Sequence, residues 1–385
     1  MWGWAAQQGD NQPNTHDLGN GITVYAGQWG SNPFQGRTRT WAGYQRRSTT
    51  TGDPLGPPIP LVELMQYEDS GDGDALKTIR DCSNAHTDTH NAMLPWASDD
   101  ALYFFVSRHH ATASVGSDTA YEVAQFLRLD DADDENTAII PTLGGLGPED
   151  RATSYFRAAE IDGKLWVATR ENTSALGRFL VMVLDPSDDS VTHQFVTRAA
   201  TSSSYQAVTP SGIMDLGGGY VAITGSTRHG GNSGYVAIFG VLVDTTDITD
   251  NANWYAGHTG EPLDGSGANT LTLGAFDGDE DATNLWTENH ATAEADLDDV
   301  VSTTAIGRDG RVFMPVRLQT DNADRDDTFT IDDVLLMSWE RSGTTLSRTA
   351  KFSAKDLFET VLSTSEFDGL LSNHELAPCF ASASG

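Results

Sequence analysis

Asp162-Gly163-Lys164-Leu165-Trp166-Val167-Ala168-Thr169-Arg170 is the stretch that decides the fold. It opens on an Asp-Gly pair, the residues that suit a two-residue hairpin turn, where both positions need positive φ. An apolar run with aromatic and β-branched members follows and closes on polar residues, which reads as a strand. The same order returns four more times. Its copies are Asn20-Gly21-Ile22-Thr23-Val24-Tyr25-Ala26-Gly27, Asp99-Asp100-Ala101-Leu102-Tyr103-Phe104-Phe105-Val106-Ser107-Arg108, Gly218-Gly219-Tyr220-Val221-Ala222-Ile223-Thr224-Gly225, and Asp309-Gly310-Arg311-Val312-Phe313-Met314-Pro315-Val316-Arg317.

Most copies have a further strand beside them. Ser154–Ala159 precedes the Asp162 copy and Arg178–Leu184 follows it. Tyr235–Val241 follows the Gly218 copy, and Val334–Trp339 follows the Asp309 copy. Strand, tight turn, strand, loop, strand at intervals of several tens of residues is the pattern of propeller blades. The expected fold class is therefore all-β, a β-propeller with five blades counted and six or seven as alternatives. A stacked sandwich is the competing architecture. Residues 1–19 are expected as an arm, 20–385 as the propeller and 20–70 as its first blade. Residues 262–298 read as an acidic loop or an irregular blade. Helical spacing over 354–371 predicts a short amphipathic helix.

The blade pattern resembles the sialidase-like BNR-repeat propellers, among them carbohydrate hydrolases, polysaccharide lyases and sugar-binding proteins. The resemblance is carried by His90-Asn91-Ala92-Met93-Leu94, the Asp99–Arg108 hairpin with His109, and Tyr155 with the Asp162–Arg170 hairpin. The family's Ser-x-Asp-x-Gly-x-x-Trp turn is absent, and Asp162-Gly163-Lys164-Leu165-Trp166 approximates it. In the lyases of this group a His and a Tyr abstract a proton beside an Arg that neutralises a uronate. The resemblance casts His90, Tyr155 and Arg170 in those roles. From the residues themselves, His90, Asn91, Arg108, His109 and Arg170 are candidates to bind sugar hydroxyls or carboxylates around a central funnel, with Arg as a bidentate clamp. The alternative is that they satisfy buried backbone groups.

Charge bounds the setting. The chain holds 55 Asp and Glu against 23 Lys and Arg, a formal net charge of −32 over 385 residues. Its lysines are Lys77, Lys164, Lys351 and Lys355. Self-repulsion of that size is relieved by screening, so an Asp-rich, Lys-poor surface suits concentrated salt. Direct binding to nucleic-acid phosphates by such a surface is disfavoured. Residues 1–60 differ, with Arg37, Arg39, Arg46 and Arg47 against Asp10, Asp17 and Asp53. Trp2, Trp4, Trp29, Arg37, Arg39 and Trp41 have the composition of a partner interface. The competing reading makes these aromatics the core of the first blade.

Two further sets of residues bear on ligands. Asp277, Asp279, Asp281 and Glu288 stand at positions 1, 3, 5 and 12 of an EF-hand-type spacing, which would wrap one Ca²⁺. Ala282 occupies the position of the usual turn Gly, and a solvated acidic loop is the alternative reading. Cys82 and Cys379 are the only cysteines and could be a staple or two separate buried thiols. The start of the chain has no basic-then-apolar secretory pattern, and no apolar run reaches the ~18–20 residues of a membrane span. Neither a nucleophile elbow nor a phosphate-binding loop is present.

Together these features set two functional expectations. The first is a host-facing structural virion protein, a tail or capsid-turret component, assembled in the cytoplasm of a halophilic host. It would dock on other virion proteins through its N-terminal region, oligomerise with its own copies, and bind a cell-surface glycan or glycoprotein. The alternative is a polysaccharide lyase or glycosidase of the sialidase-like propellers.

Overall fold

In a computed structural model the chain is all-β, and the one helical element among the described residues is a single 3₁₀ turn, Asn251–Asn253. The structure describes residues 14–18, 21–29, 41–57, 59–60, 66–68, 76–78, 90–97, 101–110, 121–129, 137–139, 152–171, 178–199, 207–228, 236–257, 259–267, 270–275, 301–302, 306–308, 310–320 and 330–353. The helix expected over 354–371, both cysteines and the acidic stretch after 275 lie outside them. None of the described helices is long and apolar enough to cross a membrane.

The chain divides into two compact units. The first comprises Met1–Thr173 and Arg178–Gln194, the second Ser174–Gly177 and Phe195–Gly385. In the first unit, sheet one runs β1 (Asn14–Asp17), β2 (Ile22–Trp29), β3 (Trp41–Ser48) and β4 (Ile59–Pro60). A small hairpin, β5 (Gln66–Glu68) with β6 (Leu76–Thr78), follows. Sheet two is β7 (His90–Ala97), β8 (Leu102–His110), β9 (Tyr121–Leu129) and β10 (Thr137–Ile139). Sheet three is β11 (Ala152–Ile161), β12 (Lys164–Glu171), β13 (Arg178–Asp185) and β14 (Ser190–Ala199), of which Phe195–Ala199 belong to the second unit.

In the second unit, sheet four is β15 (Ala207–Gly217), β16 (Tyr220–Arg228), β17 (Val236–Asp244) and β18 (Trp254–Ala256). The hairpin β19 (Asp264–Gly267) and β20 (Thr270–Ala275) lays β20 parallel to the Phe195–Ala199 end of β14. Sheet five has β21 (Val301–Ser302) and β22 (Ile306–Arg308) both against β23 (Arg311–Thr320), then β24 (Thr330–Ser342) and β25 (Thr345–Ser353). Each of the five repeated segments falls on the strand that follows the first hairpin of its sheet: β2, β8, β12, β16 and β23. Consecutive strands are neighbours in sheets one to four, and in sheet five β21 and β22 both pair antiparallel with β23, so each sheet is built as a meander. β1 begins inside the stretch expected as a free arm.

The inner strands of sheet three are covered on both faces. Six consecutive residues of β13, from Phe179 to Leu184, are buried, as are Leu165–Thr169 of β12. A half-solvated sheet would alternate polar and apolar; unbroken apolar runs require packing above and below. In the first unit the core includes Val24, Tyr44, Leu102 and Phe104, with the Tyr44 and Phe104 rings 4.9 Å apart. Tyr44, one of the N-terminal aromatics, is thus a core residue, while Arg47 stacks over Tyr25 at 4.8 Å. In the second unit Met214, Leu242, Met314, Met337 and Trp339 join sheets four and five. Each such side chain contributes about 1.5–3 kcal/mol by leaving water.

The turns show where some of the acid goes. Asp162 and Gly163 both have positive φ (51° and 73°), the two-residue turn the sequence predicts between β11 and β12. Asp185, Asp188, Asp244, Asp247 and Asp250 each accept a bond from the backbone N–H two residues on, at 2.9–3.0 Å. The β13–β14 turn (Asp185-Pro186-Ser187-Asp188-Asp189-Ser190) and the β17–β18 loop (Asp244-Thr245-Thr246-Asp247-Ile248-Thr249-Asp250) reuse one device. A short carboxylate closes the turn on its own backbone.

Candidate functional site

The candidate residues fall in the first unit, and two adjacent strands position them. β7 packs against β1, β2 and β11. Trp96, next to the last residue of β7, donates its indole N–H to Glu160 Oε2 at 3.0 Å, and Glu160 is next to the last residue of β11. The closing ends of β7 and β11 therefore meet. Their opening ends, with His90 on β7 and Ala152–Tyr155 on β11, are the ends away from that bond, roughly 15–25 Å off along each strand at ~3.3 Å per residue.

A second tie supports this alignment. The Tyr103 hydroxyl, at the start of β8 and opposite Trp96, donates to Asp189 Oδ1 at 2.8 Å. Arg128, near the end of β9, pairs with Asp189 Oδ2. Asp189 sits in the β13–β14 turn at positive φ (58°). Sheet two is thus pinned to sheet three at the end away from His90.

The opening ends carry the residues that the sequence singled out. In the β7–β8 ladder His90 stands opposite Arg108, and in the β8–β9 ladder His109 stands opposite Glu122 and His110 opposite Tyr121. Asn91 is the extra residue of a bulge, because His90 and Ala92 face the consecutive residues Arg108 and Ser107. Tyr155 lies in a second irregularity, between the Ala152–Glu171 and Phe156–Thr169 pairs. Arg170 is opposite Phe179 and next to that irregularity. Bulges bend a strand, break its ladder and re-aim its side chains, and they concentrate beside active sites. Here both occur at the opening ends of neighbouring first strands, and each includes a residue that the sequence singled out.

His90, Asn91, Arg108, His109, Tyr155 and Arg170 are therefore brought to one end of two neighbouring sheets. Pairing of β8 with β9 across the intervening loop adds Glu122 and Tyr121, which no sequence spacing pointed to. Arg157 is a further addition. It is a half-buried cation on β11, two residues past Tyr155, and burial lowers its pKa. Its sequence signal was only a charged residue beside the aromatic pair Tyr155-Phe156 of that strand.

Other expected sites are placed differently. Trp29 and Trp41 face each other in the β2–β3 ladder. Trp2, Trp4, Arg37 and Arg39 lie outside the described residues, as do Asp277, Asp279, Asp281 and Glu288. Among the described residues no group of three or more His, Cys, Asp or Glu could hold a metal ion.

No known protein family matches the sequence, and no curated protein does. Solved structures do match. The fold is similar to that of the polysaccharide lyase Uly1, with a TM-score of 0.52 and 11% identity over 91% of this chain and 74% of that one. A Penicillium chrysogenum α-L-arabinanase matches over 91% of this chain and 94% of its own, at a TM-score of 0.40 and 10% identity. A thermostable family-43 glycoside hydrolase does so over 90% and 94%, at 0.35 and 11%. The likeness is one of fold. These neighbours have propeller folds, one a polysaccharide lyase and two glycoside hydrolases, and the described strands of this chain bear out the all-β expectation.

Proposed function

We propose that this protein is a glycan-active enzyme, a polysaccharide lyase that cleaves a uronate-containing chain by β-elimination at the opening ends of β7 and β11. The observation that carries this reading is the pair of bulges there, one at His90–Ala92 and one at Ala152–Phe156, in a fold similar to a polysaccharide lyase. We further propose that each of the five meanders is a blade.

The chemistry follows from the residue types. A proton α to a carboxylate is weakly acidic, and removing it places charge on the carboxylate oxygens. Arg170 is cast as the bidentate partner that neutralises that carboxylate and stabilises the charge as it grows. Tyr155 and His90 are cast as the proton-transferring pair. One takes the C5 proton, the electrons form the C4–C5 double bond, and the C4–O4 bond breaks. The departing oxygen receives a proton, and the products are a 4,5-unsaturated uronate and a new chain end. No water is consumed, which separates this reaction from glycoside hydrolysis.

The host-facing virion role rests on charge distribution and on an N-terminal stretch largely outside the described residues. The fold likeness supports the lyase and glycosidase alternative instead. The deciding experiment incubates the full chain with uronate-rich polysaccharides in high salt and follows ultraviolet absorbance together with new reducing ends. An enzyme that eliminates raises both in step. New reducing ends without absorbance would replace the lyase by a hydrolase, and neither signal on any polysaccharide would reject the enzyme reading.

A further inference from the structure

Residues 49–57 follow β3 and lead towards β4, the edge strand of sheet one, and every one of them is exposed. Their backbone is nevertheless closed on itself and on the sheet. The N–H groups of Ser48, Thr49, Gly52 and Leu55 donate to the carbonyls of Asp53, Gly21, Ser48 and Arg46 at 2.8–2.9 Å. The buried Gln45 side chain donates to Gly56 O at 3.1 Å. Gly52 supplies the positive φ (74°) of the turn. The loop so held presents Leu55, 55% accessible and the one exposed large hydrophobic among the described residues. An exposed leucine by itself is ordinary. This one stands on a pre-ordered loop, so a contact made through it has little further backbone to order.

We infer that this loop is a self-association surface whose occupant is the same loop of a second copy of this chain, related by a two-fold axis. Two chains of net charge −32 repel, so they meet where each is least acidic. Between residues 43 and 57 the charged residues are Arg46, Arg47 and Asp53, which is 2 − 1 = +1. Pro54 is bridged to Arg47, and the Leu55 N–H bonds to Arg46 O, so the acid, the leucine and the two cations form one patch of both signs. Arg47 lies over Tyr25 and donates to Gln45 Oε1 at 3.0 Å, so its charge is held in place. About a two-fold axis beside Leu55, Asp53 of each copy meets the cations of the other while both leucines leave water. The surface is its own complement, and the assembly closes at two. Pro54 and Pro60, both opposite β3, and Pro57 have no N–H to offer, so the second copy does not add a strand to this edge; side chains make the contact. The loop is smaller than the roughly 20–30 residues a side of a standard interface, so the dimer is weak and concentration-dependent. Nothing in this contact depends on the lyase chemistry.

The test is sedimentation velocity of the full chain across a wide concentration series, at a low and a high concentration of sodium sulfate. Wild type is expected to pass from monomer to dimer as concentration rises, and more readily at high sulfate, which strengthens apolar burial and screens the repulsion. Leu55→Asp is expected to raise the dimer dissociation constant at least about tenfold, with an unchanged melting temperature because the side chain it replaces is exposed. Leu55→Met should dimerise like wild type. Asp53→Lys should weaken the dimer as well, and more at low sulfate than at high. If Leu55→Asp melts early, Leu55→Ser decides on the same readout. Wild type that stays monomeric throughout overturns the inference, as does a dimer that Leu55→Asp and Leu55→Ser leave equally tight. Assemblies that grow past two copies would contradict the two-fold arrangement. A dimer that weakens as sulfate rises would contradict the apolar contact.

Discussion

Asp189 offers the sharpest stability test, because three separable effects converge on it. It accepts a 2.8 Å bond from the Tyr103 hydroxyl, pairs with Arg128, and adopts a φ of 58° that favours Gly, Asn or Asp. The Arg128 and Asp189 side chains are each 29% accessible, so the ion pair is partly screened. Asp189→Asn keeps an acceptor for Tyr103 and tolerates the φ; it loses only the charge attraction, about 0.5–1 kcal/mol. Asp189→Gly keeps the φ but loses both partners, about 2 kcal/mol. Asp189→Ala adds the left-handed backbone cost of ~1 kcal/mol, for about 3 in all. Chemical denaturation at constant molar salt, with a probe in the first unit, reads these directly. The order Asn, Gly, Ala in increasing damage is the expectation. Alanine no worse than glycine would refute the backbone contribution, and asparagine as damaging as glycine would refute the hydrogen-bond share.

Three further outcomes follow from single features. A Cβ on Gly307 would stand 2.6 Å from Met214 Cβ and 3.3 Å from the Asp215 carbonyl, so Gly307→Ala should destabilise the second unit by about 1–3 kcal/mol in thermal unfolding. The Lys164 ammonium and the Ser187 hydroxyl and amide hold Asp185 at a pKa of about 2, below its unfolded value of ~3.9. Its contribution is complete above pH ~4 and lost as pH falls towards 2, so Asp185→Asn should flatten that acid limb of the stability curve. If the Asp277–Glu288 stretch binds Ca²⁺, chelation should lower the melting temperature in wild type and not in Glu288→Gln; equal curves with and without chelator would remove the calcium proposal.

Much of the fold was legible because it repeats. A hairpin strand with a Gly-containing turn is a local pattern, and Leu165-Trp166-Val167-Ala168 shows it without knowledge of the rest of the chain. The pairing of β8 with β9 was not legible, since His109 and Glu122 are separated by a loop whose composition carries no register. The parallel seat of β20 on β14 was hidden for the same reason: Thr270-Leu271-Thr272 looks like any strand, and only packing selects its partner. For the site, residue type pointed to His90, Tyr155 and Arg170, while their common end depends on the Trp96–Glu160 bond across 64 positions. Bulges leave almost no trace in sequence, because an extra residue such as Asn91 differs from its neighbours only in what it fails to pair with. The acid excess was legible as a number; its use in closing the Asp185 and Asp244 turns was not.

The central claim is that catalysis resides at the opening ends of β7 and β11 and not at their closing ends. Its most direct test compares substitutions at the two ends for elimination activity on one uronate polysaccharide. His90→Ala, Tyr155→Phe and Arg170→Gln should each lower kcat by at least about a hundredfold with folding intact. Glu160→Gln, at the closing end, should leave kcat within about twofold, since its amide oxygen still accepts from Trp96. Full activity in the three opening-end variants, or a loss as large in Glu160→Gln, would contradict the placement of the site.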